Sequence, residues 1–238
     1  MAVNKYTFRW MYSHDFRTTV DYFANTLTKK IIPGFENISE EANEVEQEAF
    51  DRLGENVDPE RYDPADYVDA ARDAGISFYI MADRMRQGVI NLFAAGLYHL
   101  FEQRFLKFHR QELLSYREDG NLSLVNWKEA EKRLQENYGI NIKGFASWSK
   151  VDELRLLANT VKHADGGSCE ELKSLRPDLF ISPHLEKDGY AINLVQIREV
   201  FQPLAGEDLY VSVKEFANYV EAVKQFWDNL ANAFDASE

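Results

Sequence analysis

Apolar residues recur every three or four positions along most of the chain, which is the spacing of amphipathic α-helices. The longest such pattern runs from Ile76 to Tyr116, and between Leu92 and Phe101 apolar residues surround the helix almost completely. A helix that is apolar on nearly all sides is buried. We therefore expect this segment at the centre of a helical bundle.

Shorter helices are predicted on both sides of the central one, over residues 15–30, 40–53, 127–138, 150–165 and 169–175. A last helix begins at the capping box Ser212–Glu215. Its long apolar stripe, which ends at Phe234, predicts that it packs on the central helix. In the acidic segment 40–53, the residues expected to point inward are Ala42, Val45, Ala49 and Phe50.

Alternating residues predict a few short strands. The aromatic residues at every second position near the N-terminus are Tyr6, Phe8, Trp10 and Tyr12. Residues 180–181, 190–195 and 209–211 have strand character as well, and Lys187–Gly189 is a turn signal between two of them. The predicted fold class is therefore a mainly α, single-domain helical bundle over residues 1–238, with a long central helix and a small antiparallel β element.

The charge balance limits the partners of the chain. Lysine and arginine number 27 against 40 aspartates and glutamates, a net charge of −13, so RNA binding would need a local basic patch. The candidate is the basic end of the central helix, formed by Arg104, Lys107, His109 and Arg110, with Arg104 and Lys107 as the expected RNA-binding residues. His99 lies in the apolar part of that helix, where we expect a buried, neutral imidazole bonded to a neighbour such as Glu102.

The location of the protein follows from three simple features. Cys169 is the single cysteine, which excludes an internal disulfide and favours a reducing compartment. The N-terminus has no apolar signal region, and the longest apolar run, Val89–Phe101, is too short to cross a membrane. We expect a cytoplasmic protein that does not use a membrane.

The predicted helix at 150–165 has two unlike faces. Ser149 is expected to cap its start, and Gly166-Gly167 to end it. The face predicted to enter the core includes Leu154, Leu157 and Val161. The opposite face carries Arg155, Asn159 and His163 at four-residue spacing, with Lys162 beside them. An ordinary surface helix also has a charged face, and cations are common in a last turn.

The residues of this segment resemble the motif helix of the HEPN superfamily. They are Glu153-Leu154-Arg155 and, four residues later, Asn159-Thr160-Val161-Lys162-His163. HEPN proteins are helical bundles found in toxin, abortive-infection and other antiviral systems, and many are metal-independent ribonucleases. Their signature is an Arg and a His on one helix, at a shorter spacing than the seven residues between Arg155 and His163 here.

The resemblance, together with the spacing, implies an endoribonuclease that needs no metal or cofactor. His163 would be the general acid or base, Arg155 would hold the phosphate, Asn159 would orient the imidazole or bind phosphate, and Lys162 would add positive charge. HEPN-like nucleases pair two motif helices around a twofold axis, which implies a homodimer. The expected partners are an RNA substrate and a cognate antitoxin or defence protein. A non-catalytic helical adaptor or immunity subunit is the alternative.

Other chemistries find little support in the sequence. The chain has no Walker-type phosphate loop and no dinucleotide-binding glycine pattern. A metal site could be imagined from His163, Asp165, Cys169 and His184, but their spacing matches no zinc motif. We therefore expect no metal centre.

Overall fold

The fold is mainly helical and is organised around one long helix, α3, which spans Pro64–Phe108 and continues as a π-helical turn over His109–Leu113. The computed structural model describes residues 8–55, 63–118, 120–184 and 199–236. Helix α3 begins well before the predicted Ile76, because Asp63 and Pro64 start a helix instead of forming a turn. The Asp63 carboxylate accepts a hydrogen bond from the N–H of Ala65 at 2.9 Å, and Pro64 occupies the first turn, where a missing N–H costs nothing.

Among the described residues, six further α-helices surround α3. They are α1 (Asp15–Asn25), α2 (Ile38–Gly54), α4 (Trp127–Tyr138), α5 (Trp148–His163), α6 (Gly167–Leu175) and α7 (Val213–Ala236). Two π-helical segments, Phe8–His14 and Thr26–Ile31, flank α1, and a 3₁₀ turn, Ile32–Phe35, follows. Short 3₁₀ turns also occur at Leu122–Leu124, Ile142–Gly144, Pro177–Phe180 and Pro203–Ala205.

The core is an aromatic cluster between α3 and α7. Phe101 of α3 meets Phe226 of α7 edge to face, with ring centroids 4.9 Å apart, and Phe105 lies close to both Phe226 and Trp227. The predicted packing of the last helix on the central one is confirmed. Edge-to-face aromatic pairs add to the free energy of burying their area, so this cluster stabilises the packing of α7 on α3.

The predicted β element is not seen in the described residues. Phe8–His14 is π-helical, and neither 180–181 nor 209–211 forms a strand; the predicted strand 190–195 lies outside the described ranges. In a strand, Phe8 and Trp10 would point to the same face. In a helical turn, residues two positions apart point to nearly opposite sides. Phe8 is accordingly buried against Phe234, while Trp10 is 76% exposed. Core packing of one ring therefore overrides the alternating pattern.

A loop over residues 201–211 is fixed to α3 by a buried amide. The Asn91 side chain donates to the carbonyls of Pro203 (2.7 Å) and Leu209 (2.8 Å) and accepts from Gln87 at 2.9 Å. Gly206, at φ 79°, lies so close to α3 that a Cβ there would be 1.8 Å from the Arg84 carbonyl oxygen. The sequence pattern did not predict this attachment, because it depends on contacts between distant residues.

Two predicted inward positions are wrong. Phe50 is 44% exposed, because α2 and α3 approach too closely for a large ring: a Cβ on Gly75 would lie 2.9 Å from the Ala42 carbonyl oxygen. His99 is partly exposed, with Nδ1 3.6 Å from a Glu102 carboxylate oxygen, while the fully buried histidine is His109. No helix in the described part of the chain combines the length and hydropathy that a membrane crossing requires.

Candidate functional site on helix α5

Helix α5 is a core helix with one narrow exposed strip. The predicted burial of Leu154, Leu157 and Val161 is confirmed, and Leu156 and Thr160 on the neighbouring flank are buried as well. The residues outside this buried arc form the α5 strip, which we define as Asp152, Arg155, Asn159, Lys162 and His163. An ordinary surface helix exposes a broader face than α5 does. The polar groups of the strip are therefore carried by a helix that is buried over most of its circumference.

Helix α5 begins and ends differently from the prediction. It starts at Trp148, one residue before the predicted cap Ser149, and Ser147 precedes it without a side-chain capping bond. Its last helical residue is His163, and the next residue, Ala164, has φ 58°. Gly167, which was predicted to end α5, already belongs to α6. The Ser147 hydroxyl instead bonds to Asn229 at 3.0 Å, so tertiary contact with α7 has replaced local capping.

Arg155 is held on one side and open on the other. Its Nε donates to Oδ1 of Asp152 at 2.6 Å, and its terminal nitrogens Nη1 and Nη2 have no hydrogen-bond partner among the described residues. Burial opposes its charge, but the Asp152 carboxylate and Tyr98 outweigh burial and raise the pKa of Arg155. The guanidinium is therefore permanently charged and can offer two N–H groups to a planar anion.

The rest of the strip differs in how firmly it is held. Asn159 donates from Nδ2 to the Ser168 hydroxyl at 3.3 Å, which fixes the amide against α6. Lys162 and His163 are exposed at the carboxyl end of α5 and have no hydrogen-bond or ion-pair partner among the described residues. Both can therefore reach a ligand without first breaking an internal contact.

Distances along the helix separate the candidate groups. Arg155 and His163 are eight positions apart, roughly 12 Å along the axis. Helical side chains all tilt toward the N-terminus, so this separation is not closed by the tilt. One copy of the strip thus presents its Arg and its His to neighbouring positions of an extended ligand instead of to one small anion.

The two basic residues proposed on the central helix lie at the other end of α5. The ring of Trp148, at the start of α5, is 5.9 Å from that of Trp127, and Trp127 contacts Phe105 of α3. Further along α5, the charge of Arg155 interacts with Tyr98, which lies earlier in α3. Helix α5 therefore runs antiparallel to α3. Arg104 and Lys107 are consequently level with its start, roughly 22 Å from His163 along the axis. Arg104 also bonds to Asp15 at 2.6 Å, and Lys107 is exposed.

A buried ionic network lies behind the strip and was missed from the sequence. The Glu153 carboxylate accepts hydrogen bonds from Tyr219 (2.6 Å), from Lys150 (2.9 Å) and from Arg176. Lys150 and Arg176 also bind Glu215, so the two cations bridge two carboxylates from α5 and α7. Burial opposes ionisation of Glu215, but bonds from Lys150 and Arg176 outweigh it and lower its pKa.

Glu153 looked like an ordinary first-turn acid in the sequence. Its exposed fraction is only 7%, and its partners are distant in the chain. The network joins α5, α7 and the turn after α6, so we assign it to holding α5 in place. One sign of this network was present in the sequence: Glu153 falls within the apolar arc of α5, where an acidic residue is not expected.

The imagined metal quartet is not assembled. His184 binds Asp83 of α3 at 2.9 Å, at the edge of a cleft of about 340 Å³ that also includes Tyr79 and Tyr210. The ligand atoms of Asp165, Cys169 and Glu170 do lie within 4.8 Å of one another.

A lysine already supplies the positive charge at that acidic trio. The Lys173 ammonium is 3.1 Å from both carboxylates, so it offsets part of their negative charge. Burial raises the pKa of Cys169 to about 11, which keeps the thiol protonated and unreactive.

The chemistry that the α5 strip can perform follows from its groups. An open guanidinium fork can bind a phosphate or carboxylate, and an exposed imidazole can donate or accept a proton near neutral pH. The strip has no thiolate, and its one carboxylate, Asp152, is bound to Arg155. No protein-family model, curated protein or solved structure matches this chain.

Proposed function

We propose that the protein is a metal-independent endoribonuclease of a toxin or antiviral system, with its active site on the α5 strip. The observation that carries the proposal is the contrast within α5. A helix buried over most of its circumference leaves only a narrow polar strip, and that strip contains Arg155, Asn159 and His163. Rigid support of reacting groups is what catalysis by positioning requires.

RNA cleavage suits these groups because the substrate carries its own nucleophile, the 2′-hydroxyl. The protein has to move protons and stabilise charge on the phosphate. His163 would take the proton of the 2′-hydroxyl as that oxygen bonds to phosphorus, the P–O5′ bond would break, and the protonated imidazole would return the proton to the leaving 5′-oxygen. The open fork of Arg155 would bind the phosphate oxygens. Asn159 keeps its carbonyl oxygen available for a hydrogen bond to the imidazole or a ribose, and Lys162 adds positive charge. The expected products carry a 2′,3′-cyclic phosphate.

A twofold dimer would resolve the long Arg-to-His separation. If two α5 helices lie antiparallel with Asn159 near the axis, Arg155 of one protomer lies opposite His163 of its partner. Each phosphate would then meet an Arg and a His from different chains. The resemblance to HEPN proteins, in which motif helices pair around such an axis, supports the same arrangement.

The direct test is cleavage of a labelled single-stranded RNA by purified protein in EDTA. We expect cleavage by the wild-type chain and a loss of at least about 100-fold for His163→Ala, the usual contribution of a general acid or base. His184→Ala is the matched control, because it removes another exposed histidine. Activity that survives His163→Ala, or that is lost equally in His184→Ala, would refute the assignment.

The adaptor hypothesis is the second candidate, and the charge distribution favours it. The Arg155 fork has Asp152 at 2.6 Å, and the outward face of α2 carries acidic residues over much of its length. An acidic surface fits a basic protein partner, such as a cognate antitoxin or a defence-system subunit.

Expression in cells separates the two candidates. Growth arrest that Arg155→Ala abolishes supports the nuclease. Harmless expression with stable co-purification of a defined neighbouring-gene product supports the adaptor. An Asp152→Ala variant sharpens the comparison, because freeing the guanidinium would raise nuclease activity but has no such effect on an adaptor.

A further inference from the structure

Helix α4 and the turn that follows it enclose a groove that the α5 strip does not use. The groove has a volume of about 740 Å³, and its walls include Lys128, Lys132 and Lys143. We call it the α4 groove. A volume within the range of about 300–1,000 Å³ that drug-sized ligands occupy exceeds what a single small ion needs, so the groove can hold a segment of a longer anionic ligand.

Lysines outnumber acids in the α4 groove, although the chain as a whole carries a charge of −13. The three lysines face two glutamates, Glu129 and Glu131. Glu131 is taken by Lys143 at 2.6 Å, and Glu129 is bound by Arg133 at 3.0 Å. Lys128 and Lys132 remain, and neither has an ion-pair partner among the described residues.

These two lysines are placed against local preference. They are four positions apart on α4 and therefore adjacent on one face, where two like charges destabilise a helix. Lys128 also lies in the first turn of α4, at the positive end of the helix dipole. An anion bound between the lysines would offset both the repulsion between the two ammonium groups and the repulsion between Lys128 and the helix dipole.

The position of the α4 groove relates it to the α5 strip. Trp127, next to Lys128, lies 5.9 Å from Trp148 at the start of α5, so the groove is at the opposite end of α5 from His163. The separation along the axis is roughly 22 Å. A strand of several nucleotides can bridge it, which a mononucleotide cannot.

We propose that the α4 groove binds the phosphodiester backbone of single-stranded RNA through Lys128 and Lys132. The proposal takes RNA as the polyanion from the proposed function, and it adds a binding site outside the α5 strip. Contacts made through ammonium groups are to phosphates, so we expect little sequence preference and a strong dependence on salt.

The test measures binding of fluorescein-labelled U20 RNA by fluorescence anisotropy at 50 and 200 mM salt. All proteins carry His163→Ala, so that the RNA stays intact. Lys128→Glu with Lys132→Glu should weaken binding at least tenfold. It should also reduce the slope of log K against log salt by about 0.7 for each lysine. Lys128→Gln with Lys132→Gln is the milder variant in case charge reversal disturbs α4, and far-UV circular dichroism checks its helix content.

Lys29→Glu with Lys214→Glu is the control, because both lysines are exposed and the change in net charge is the same. We expect this control to keep the wild-type salt slope and to lose less than threefold in affinity. Equal losses in the two double variants would mean non-specific attraction, and an unchanged affinity in both α4 variants would also overturn the proposal.

Failure of the α4 groove is distinguishable from failure of the nuclease. With His163 intact, the α4 variants should raise KM for RNA cleavage and leave kcat unchanged. If RNA binds through Lys128 and Lys132 but is not cut, the proposed RNA binding by the α4 groove is supported and the proposed nuclease activity is refuted. RNA that is cut by all variants with equal KM removes the groove and leaves the nuclease.

Discussion

At the residue scale, the least expected group is His109. Its side chain is fully buried, and neither ring nitrogen has a hydrogen-bond partner among the described residues. Burial lowers the pKa of His109, and the nearby Arg133 lowers it further, against the weaker opposite influence of Glu129 and Glu118. At a given pH the imidazole is therefore less often protonated in the folded protein than in the unfolded chain.

The lowered pKa predicts a loss of stability in mild acid. As the pH falls below the unfolded-state pKa of about 6.5, the unfolded chain takes up the proton more readily than the folded one, so the free energy of unfolding decreases. We expect His109→Leu to remove the pH dependence that His109 gives to the free energy of unfolding, which is at most about 1.4 kcal/mol per pH unit. Urea unfolding of both proteins at pH 7.5 and 5.5 measures the difference.

The control for His109 is the same substitution at the exposed His14. His14→Leu should keep the wild-type difference between the two pH values. His109→Leu should be at least as stable as the wild type at pH 7.5, since the substitution also removes two buried polar atoms without partners. Equal pH dependence in His109→Leu and wild type would contradict the account.

At the element scale, the position of α5 depends on the ionic network around Glu153. Removing Glu153 leaves Tyr219 without its acceptor and leaves Lys150 and Arg176 with Glu215 as their shared carboxylate. We expect Glu153→Ala to lower the free energy of unfolding by about 3 kcal/mol, the lower end for breaking a buried pair, because Glu215 still compensates the cations.

Chemical denaturation measures this loss, with Glu170→Ala as the control. Glu170 is exposed and pairs with Lys173 at the surface of α6, so its removal should change stability little. If the two variants are equally stable, the network does not hold α5. Glu153→Gln should fall between them, since it keeps the shape and loses the charge.

The helices themselves were well predicted from the sequence, and the reason is local. Trp127–Tyr138 was predicted residue for residue, because Asn126 caps its start and Gly139, at φ 66°, ends it. The capping box of α7 also forms in part, with the Glu215 N–H bonded to the Ser212 hydroxyl at 3.0 Å. The Glu215 side chain, however, leaves the cap to bind Lys150 and Arg176, which only the tertiary structure decides.

The candidate site was predictable in its residues but not in its geometry. Helical spacing correctly placed Arg155, Asn159 and His163 on one strip, since that follows from 3.6 residues per turn. The hydrogen bond that Arg155 donates to Asp152 and the one that Asn159 donates to Ser168 depend on side-chain conformation and on the packing of α6. The distance of Arg104 and Lys107 from His163 follows from the antiparallel course of α3 and α5, which no local pattern encodes.

At the scale of the whole molecule, the positive charge of the α5 strip makes self-association depend on an anionic ligand. Two α5 strips facing each other would set Arg155, Lys162 and His163 of both chains around one cleft. Like charges repel, and Asp152 offsets part of that repulsion by its bond to Arg155. A phosphate between the strips would remove the rest. We therefore expect dimerisation to strengthen with RNA, as light scattering with and without U20 RNA can show.

The composite site is tested by mixing two inactive proteins. If each site takes Arg155 from one protomer and His163 from its partner, the mixed dimer of Arg155→Ala and His163→Ala chains has one intact site and one doubly defective site. Random exchange makes half of the dimers mixed, so the mixture should regain about a quarter of wild-type activity. If Arg155 and His163 act from the same chain, every site retains a defect and the mixture stays inactive. A wild-type protein that remains monomeric with RNA present would exclude the dimer itself.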